Sequence, residues 1–262
     1  MLTIILLSIT CFVYAQQSIP SKLTRSFTLK ADRFIGIDEL ENLYYIKGNT
    51  LCKKEKGKIL TYANNQLGYI TSVDITNPLK VLVFHGNFNT VQLLDNQLNE
   101  LTKPINFTSE SVFKNITNVA ISSNDNIWLY STDDSVLSLF NYQTKKILFN
   151  SQPLEIFKKP FMVTSLNSNY KYAWLGDGNS LLKFNEYGTF LEDIPLIYDE
   201  IVIWQDQPVF LNGDRVFIHN TDGTTSTFKT DTTLKIKSFY LQENNLYIFD
   251  GQKIFVFQFL KI

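Results

Sequence analysis

The feature that most constrains this chain is an internal repeat of about forty residues, a length typical of proteins that stack one small unit on the next. Repeat 1 reads FIGIDELENLYYIKGNTLCKKEKGKIL, and five further copies follow it in outline. Repeats 1 to 6 begin at Phe34, Ile70, Asn118, Val163, Ile201 and Lys237. One apolar or aromatic position recurs at separations of 39, 45, 46, 36 and 37 residues, and it is occupied by Tyr44, Val83, Trp128, Trp174, Phe210 and Tyr247.

The repeats agree most closely in their turns. Segments such as IKGNTL, YSTDDSV and LGDGNSL are rich in Gly, Asn and Asp, which tolerate the positive φ of tight hairpins. Short strands separated by such turns at this period are the pattern of a β-propeller blade. The sequence therefore predicts an all-β chain that folds as a single six-bladed β-propeller.

The last repeat lacks a fourth strand, because the chain stops at VFQFLKI. An unpaired third strand would expose a row of backbone donors and acceptors. Residues 21–30 precede repeat 1 and alternate polar and apolar side chains, with Leu23, Phe27 and Leu29 among the apolar ones. We expect this segment to pair with the last repeat and to close the ring, as propellers commonly do.

The aromatic and aliphatic pairs in the second strand of each repeat, as in LYYI, IWLY and YAWL, are expected to fill the space between blades. All repeats share them, which favours a structural role over a ligand platform.

The N-terminal run MLTIILLSITCFVYA is apolar and ends in small residues, which predicts a signal peptide over residues 1–15 and a propeller domain over 16–262. A lipid anchor at Cys11 is disfavoured, because SITC departs from the usual Leu-small-small-Cys pattern. Cleavage leaves Cys52 as the remaining cysteine and excludes an intramolecular disulfide. The predicted location is therefore outside the cytoplasm, in the periplasm or at the outer membrane of a bacterium.

Two function classes are disfavoured by composition. A formal net charge of −1, with interspersed signs, lacks the basic footprint of nucleic-acid binding. Beyond the signal peptide, no apolar stretch is long enough for a transmembrane segment.

The segments DELENLYYIKGNTL and SNDNIWLYSTDDSVLSLF resemble the NHL-like and six-bladed propellers, although Glu41 and Asp125 stand where that family usually has Gly. More narrowly, SVDITNPLKVLVFHGNFNTVQLLDNQLNEL in repeat 2 looks like an exported propeller family of Bacteroidota cell envelopes. The resemblance implies a cell-envelope protein in a bacterium with type IX secretion. Its implied partner is a large outer-membrane assembly such as the type IX translocon.

Motifs for catalysis and for cofactor binding are lacking, and the two histidines, His85 and His219, fall at turns of different repeats. We therefore predict no catalytic, cofactor-binding or metal-binding residues and a non-catalytic interaction module. The alternative is a central tunnel that binds a small ligand or glycan, or that holds a metal for hydrolase or lyase activity. Polar candidates on the innermost strands for such a tunnel are Asp38, Asp74, Asn118, Thr164, Glu200 and Asp206.

Two long connections, residues 102–115 and 150–161, depart from the minimal repeat, and propeller function is usually built on such loops. They carry apolar side chains among lysines, which is typical of a protein-binding surface. The predicted partner-binding residues are Phe107, Phe113, Ile156, Phe157, Lys158, Lys159 and Phe161. The alternative is that these side chains fold back over the third blade as a local core.

Overall fold

The computed structural model describes residues 17–109, 115–230 and 234–260. The predicted signal peptide, Cys11 and Phe113 lie outside these residues. Strands dominate the described chain, which also has three short 3₁₀ helices at Asn65–Leu67, Gly86–Phe88 and Leu154–Ile156. No helix in these ranges has the length and apolar character needed to cross a membrane.

Each of the first three repeats forms its own antiparallel four-stranded sheet in chain order. Repeat 1 contributes β2 (Arg33–Ile37), β3 (Leu43–Lys47), β4 (Thr50–Glu55) and β5 (Lys58–Tyr62). Repeat 2 contributes β6 (Ser72–Asp74), β7 (Val81–His85), β8 (Thr90–Leu94) and β9 (Ile105–Asn106). Repeat 3 contributes β10 (Ile116–Ile121), β11 (Asn126–Ser131), β12 (Val136–Asn141) and β13 (Lys146–Asn150).

The remaining repeats follow the same plan until the chain reaches its last strand. Repeat 4 is a sheet of β14 (Ser165–Ser168), β15 (Tyr172–Gly176), β16 (Ser180–Asn185) and β17 (Phe190–Pro195). Repeat 5 contributes β18 (Glu200–Trp204), β19 (Gln207–Asn212), β20 (Arg215–His219) and β21 (Thr225–Lys229). Repeat 6 contributes three strands, β22 (Ser238–Gln242), β23 (Asn245–Phe249) and β24 (Lys253–Phe259).

The N-terminal strand β1 (Gln17–Thr28) joins repeats 5 and 6 into one eight-stranded sheet. Its second part runs antiparallel to β24, with Leu23 opposite Phe257 and Phe27 opposite Ile254. The expected pairing of this segment with the last repeat is therefore observed. Its first four residues also pair in parallel with β21 of repeat 5, which the sequence analysis did not predict.

Hydrophobic clusters lie between consecutive repeats, and one of them joins repeat 6 to repeat 1. The repeats are thus arranged in a ring. Neighbouring residues of a second strand face opposite clusters: Tyr44 packs toward repeat 2, whereas Tyr45 packs toward repeat 6. Trp128 and Trp174 are buried in the same way. The aromatic pairs therefore fill the space between sheets, as predicted, and truncating one of these rings to Ala costs about 3–5 kcal/mol.

Three of the outermost strands have a disrupted edge. The register shifts at Thr24 in β1, at Leu148 in β13 and at Leu191 in β17, where one extra residue forms a bulge. Leu148 and Leu191 are consequently exposed. Bulges of this kind discourage edge-to-edge pairing with another chain.

Removing residues 17–28 tests the closing role of β1. The truncated protein should melt several degrees lower and aggregate, because the edges of β24 and β21 lose their hydrogen-bonding partner. A synthetic peptide of residues 17–30, added in excess, should restore part of the melting temperature, whereas a scrambled peptide should not. An unchanged melting curve after truncation would show that β1 does not stabilise the ring.

Candidate functional site

The innermost strands surround a central channel, and side chains bridge each strand to its neighbour. A strand at the inner edge of a sheet leaves backbone groups unpaired, and buried backbone groups need partners. In four junctions a side chain bonds to the main chain across the junction: Arg33 to Ile70 O and Thr71 O, Asp74 to Ile121 N, Asn118 to Thr164 O, and Lys237 to Asp32 O. Between repeats 5 and 6, Glu200 faces the backbone of Phe239. Between repeats 4 and 5, the Ser165 and Tyr198 hydroxyls are 3.0 Å apart.

The channel is a cavity of about 510 Å³, and its lining is polar and apolar in similar proportions. A three-residue pattern of Thr, a polar residue and an aliphatic residue recurs on three consecutive innermost strands and lines it. The three copies are Thr71-Ser72-Val73, Thr117-Asn118-Val119 and Thr164-Ser165-Leu166. This recurrence is visible in the sequence, although Asn118 and Thr164 are the only residues of the three copies that were predicted to line a tunnel.

Turn geometry explains how the start of an innermost strand is held. The Asp32 carboxylate accepts a hydrogen bond from Gly48 N at 2.6 Å, and Asp199 accepts one from Gly213 N at 2.8 Å. Both glycines have positive φ, which allows the hairpin to present its N–H to the strand. Asp177, Asp222 and Asp250 likewise accept backbone N–H groups of their own turns.

The predicted tunnel candidates fall into two groups. Asp74, Asn118, Thr164 and Glu200 line the channel. Asp38 is buried and accepts hydrogen bonds from Leu40 N, Asn42 N, Asn42 Nδ2 and the Tyr44 hydroxyl. Asp206 lies in a turn and pairs with Lys171 at 3.1 Å.

Asp74 also uses both oxygens on the protein, since Oδ1 accepts from Thr76 N and Oδ2 accepts from Ile121 N. Across the described ranges, no three His, Cys, Asp or Glu side chains are grouped closely enough to hold a metal ion together.

The two histidines are outside the set of residues that line the channel. His85 is buried in β7, where Nδ1 lies 3.2 Å from Gly68 O, and burial lowers its pKa. Burial also lowers the pKa of His219, at the end of β20. Cys52 is buried between repeats 6 and 1, and burial raises the pKa of its thiol.

Glu200 is the unusual carboxyl of the channel. It projects from the start of β18 toward repeat 6, where it faces the backbone of Phe239. Its Oε2 atom is buried and has no hydrogen-bond partner among the described residues. Burial raises the pKa of Glu200 to about 7, and the nearby Phe239 N–H opposes that shift.

The channel also depends on two aromatic residues. The Tyr198 hydroxyl approaches Gly176 so closely that any Cβ there would collide with it. The Tyr240 ring crosses from repeat 6 and rests on Gly36 and Ile75. Glycine at positions 36 and 176 therefore lets these rings reach the channel.

The predicted partner-binding residues divide between core and surface. Phe107 is fully buried between repeats 2 and 3, with its ring centroid 5.7 Å from that of Phe140. Phe161 is buried between repeats 3 and 4. The expectation that these two side chains are exposed anchors is wrong, because both complete the packing between sheets.

The other predicted positions in residues 150–161 lie at the surface or near it. Phe157 is half-buried and stacks on Phe190 with centroids 4.5 Å apart. Lys158 forms an ion pair with Asp193 at 2.8 Å. Ile156 is 63% exposed, and Lys159 is exposed.

Solved structures resemble this chain in fold at low sequence identity. A streptogramin B lyase superposes with a TM-score of 0.58 at 10% identity, over 90% of this chain and 98% of that one. Virginiamycin B lyase from Staphylococcus aureus, in a catalytically inactive form with quinupristin, gives 0.60 at 13% identity, over 86% and 82%. The β-propeller domain of Cps50 (Swd1) from Myceliophteria thermophila gives 0.58 at 10% identity, over 91% and 99%.

The fold is a β-propeller. At these identities the likeness extends to the fold alone, because propellers of one shape serve unrelated functions. The similar structures include enzymes, such as the streptogramin B lyase. They also include the WD40 domain of Pan2 from Neurospora crassa, which gives a TM-score of 0.58 at 9% identity, over 88% of this chain and 76% of that one. No protein-family model matches the sequence, and no curated protein matches it.

The Gly176→Ala variant tests the close approach of Tyr198. The added methyl group should displace the Tyr198 hydroxyl from Ser165 and lower the free energy of unfolding by roughly 2–4 kcal/mol. The double variant Gly176→Ala/Tyr198→Phe should regain part of this loss, because the colliding oxygen is absent. Chemical denaturation of both variants measures the coupling, and strictly additive effects would contradict the contact.

The buried Glu200 carboxyl should make stability depend on pH. Between about 4.5 and 7 the folded state retains a proton that the unfolded chain releases, so stability is lost as pH rises through this window. Glu200→Gln should therefore be more stable than the wild type at pH 8, by roughly 1–3 kcal/mol, and nearly equal to it at pH 4.

Urea denaturation at the two pH values measures this difference. Glu155→Gln, which alters an exposed carboxylate, is the matched control and should follow the wild type. Parallel pH profiles for Glu200→Gln and the wild type would contradict the assignment.

Proposed function

We propose that this chain is a six-bladed β-propeller that acts as a non-catalytic protein-interaction module. The count of six follows if the eight-stranded sheet is divided into two blades. One blade consists of β18 to β21, and the other consists of β22 to β24 together with β1. The first residues of β1 also pair with β21, which joins the outer edges of the two blades. Hydrophobic clusters between every pair of consecutive repeats support this division.

The observation that carries the proposed function is the rigid display of apolar side chains by the 150–163 segment. Leu154 and Phe161 are buried in the cluster between repeats 3 and 4, and Phe157 stacks on Phe190. Between and beside these anchors, Ile156 is 63% exposed and Met162 is 80% exposed. A segment held in place before binding loses little conformational entropy on binding, which favours affinity.

Charged groups border these apolar side chains. Lys159 and Glu155 are exposed on either side of Ile156, and the Lys158–Asp193 ion pair ties the segment to β17. Apolar side chains rimmed by charge are characteristic of protein-binding surfaces. We therefore retain Ile156, Phe157, Lys158 and Lys159 as the proposed contact residues.

The proposal of a non-catalytic role rests on how the channel uses its ionisable groups. The oxygens of Asp38 and Asp74 accept hydrogen bonds within the protein, and His85 is buried within its own sheet. These groups serve the fold. The lyases among the similar structures keep a lyase activity open as the competing proposal.

We further propose that the propeller spans residues 16–262 and is exported to the periplasm or the outer-membrane periphery. The apolar N-terminal run and the resemblance to exported Bacteroidota propellers support this location. The proposed partner is an envelope assembly such as the type IX translocon, a suggestion that rests on the resemblance alone.

Site-specific photocrosslinking tests the surface. A photoreactive amino acid at position 156 should give a discrete adduct with an envelope protein, whereas the same group at position 59, occupied by the comparably exposed Ile59, should not. Ile156→Ser/Met162→Ser should abolish capture of that partner and keep the melting temperature, because both side chains are exposed. The matched control is Ile59→Ser. Equal capture by the double variant and the wild type would exclude this surface.

A further inference from the structure

The lining of the central channel points to a binding site that is separate from the 150–163 segment. The channel volume of about 510 Å³ falls in the range of small-molecule sites, roughly 300–1,000 Å³. Its walls present hydroxyl and amide groups from three consecutive repeats, including Asn118, Ser165 and Asn167. Such groups both donate and accept hydrogen bonds, so they suit a ligand that does the same.

The side chains around the channel disfavour an anionic ligand. No lysine, arginine or histidine is among the described residues that line it, so an anion would meet no cationic partner. An anion would instead face the Asp74 and Asp199 carboxylates. Burial holds the third carboxyl, that of Glu200, partly protonated near neutral pH.

Two buried polar atoms indicate unused hydrogen-bonding capacity beside the channel. Ser168 is 7% exposed, and its Oγ has no partner among the described residues. The buried Oε2 of Glu200 is likewise unpartnered within the described chain. Unsatisfied polar groups of this kind are costly, and a bound molecule that reaches them removes the cost.

An aromatic face completes the lining. Tyr240 enters the channel from repeat 6 and is half-buried there, with its ring supported by Gly36 and Ile75. A flat ring beside hydroxyl and amide groups matches a molecule that has a polar rim and an apolar face.

We propose that the channel binds a polyhydroxylated molecule of about monosaccharide size that carries no negative charge. Asn118, Asn167 and the Ser165–Tyr198 hydroxyl pair bond its hydroxyl groups. The Tyr240 ring packs against its apolar face. This site does not depend on the proposed partner surface.

A matched sugar panel tests the proposal with the full chain. The neutral probes are glucose, galactose, mannose and N-acetylglucosamine, and the anionic probes are glucuronate and galacturonate. Saturation-transfer NMR and calorimetry should detect at least one neutral sugar with a Kd below about 10 mM. Its anionic counterpart should bind at least roughly tenfold more weakly, because the channel has no cationic side chain to pair with the charge.

Two substitutions locate the binding. Asn167→Ala should weaken the binding of the neutral sugar by roughly three- to tenfold through the loss of a hydrogen bond. Tyr240→Leu should weaken it further, and Tyr187→Leu, which alters an exposed tyrosine outside the channel, is the control. Ile156→Ser/Met162→Ser should bind the sugar as the wild type does, which separates this site from the partner surface.

Three results would overturn the proposal. They are binding of no neutral sugar in the panel, equal or tighter binding of the anionic sugars, and unchanged affinity in an Asn167→Ala variant that melts like the wild type. Tyr240 also supports packing, so weaker binding by a destabilised Tyr240→Leu variant does not test the contact with the sugar. In that case the affinity of Asn167→Ala decides.

Discussion

The structure depends on hydrophobic packing between sheets rather than within them. Each sheet is one layer thick, so its apolar side chains have no partner in their own repeat and must be buried against the two neighbouring repeats. Tyr44 and Tyr45 illustrate this, since consecutive residues belong to clusters on opposite sides of one sheet. The stability of each repeat is therefore a property of its junctions, and the ring is stable only when the last junction is formed.

Packing of the sheet faces leaves backbone groups at the inner edges of the sheets without hydrogen-bond partners. This shortage explains why polar side chains line the channel. The innermost strands have one edge without a neighbouring strand, so side chains must supply the missing partners. Asp74 and Asn118 do this by bonding to the main chain of the next repeat. The polar residues that this requirement places around the axis also create the surface to which a small polar molecule can bind.

The sequence predicted the repeat, the position of the closing strand and the burial of the aromatic pairs, because each of these leaves a periodic or alternating pattern. It did not predict the fate of the loop residues. Phe107 and Phe161 look like Ile156 in sequence, but two are buried and one is exposed, since their orientation depends on which neighbouring sheet lies beneath them. The parallel pairing of Gln17–Pro20 with β21 was missed for a similar reason, because only the closed ring brings those strands together.

The closing strand joins the two ends of the chain, and Thr24 bonds to Val256 across 232 positions of sequence. Contacts of such separation form late and slowly, because a long loop must close before they are made. While the chain is being synthesised, its first strand has no partner, and the ring stays open until the last strand is released. A chain with this topology therefore keeps two unpaired strand edges, those of β21 and β24, until β1 has docked between them.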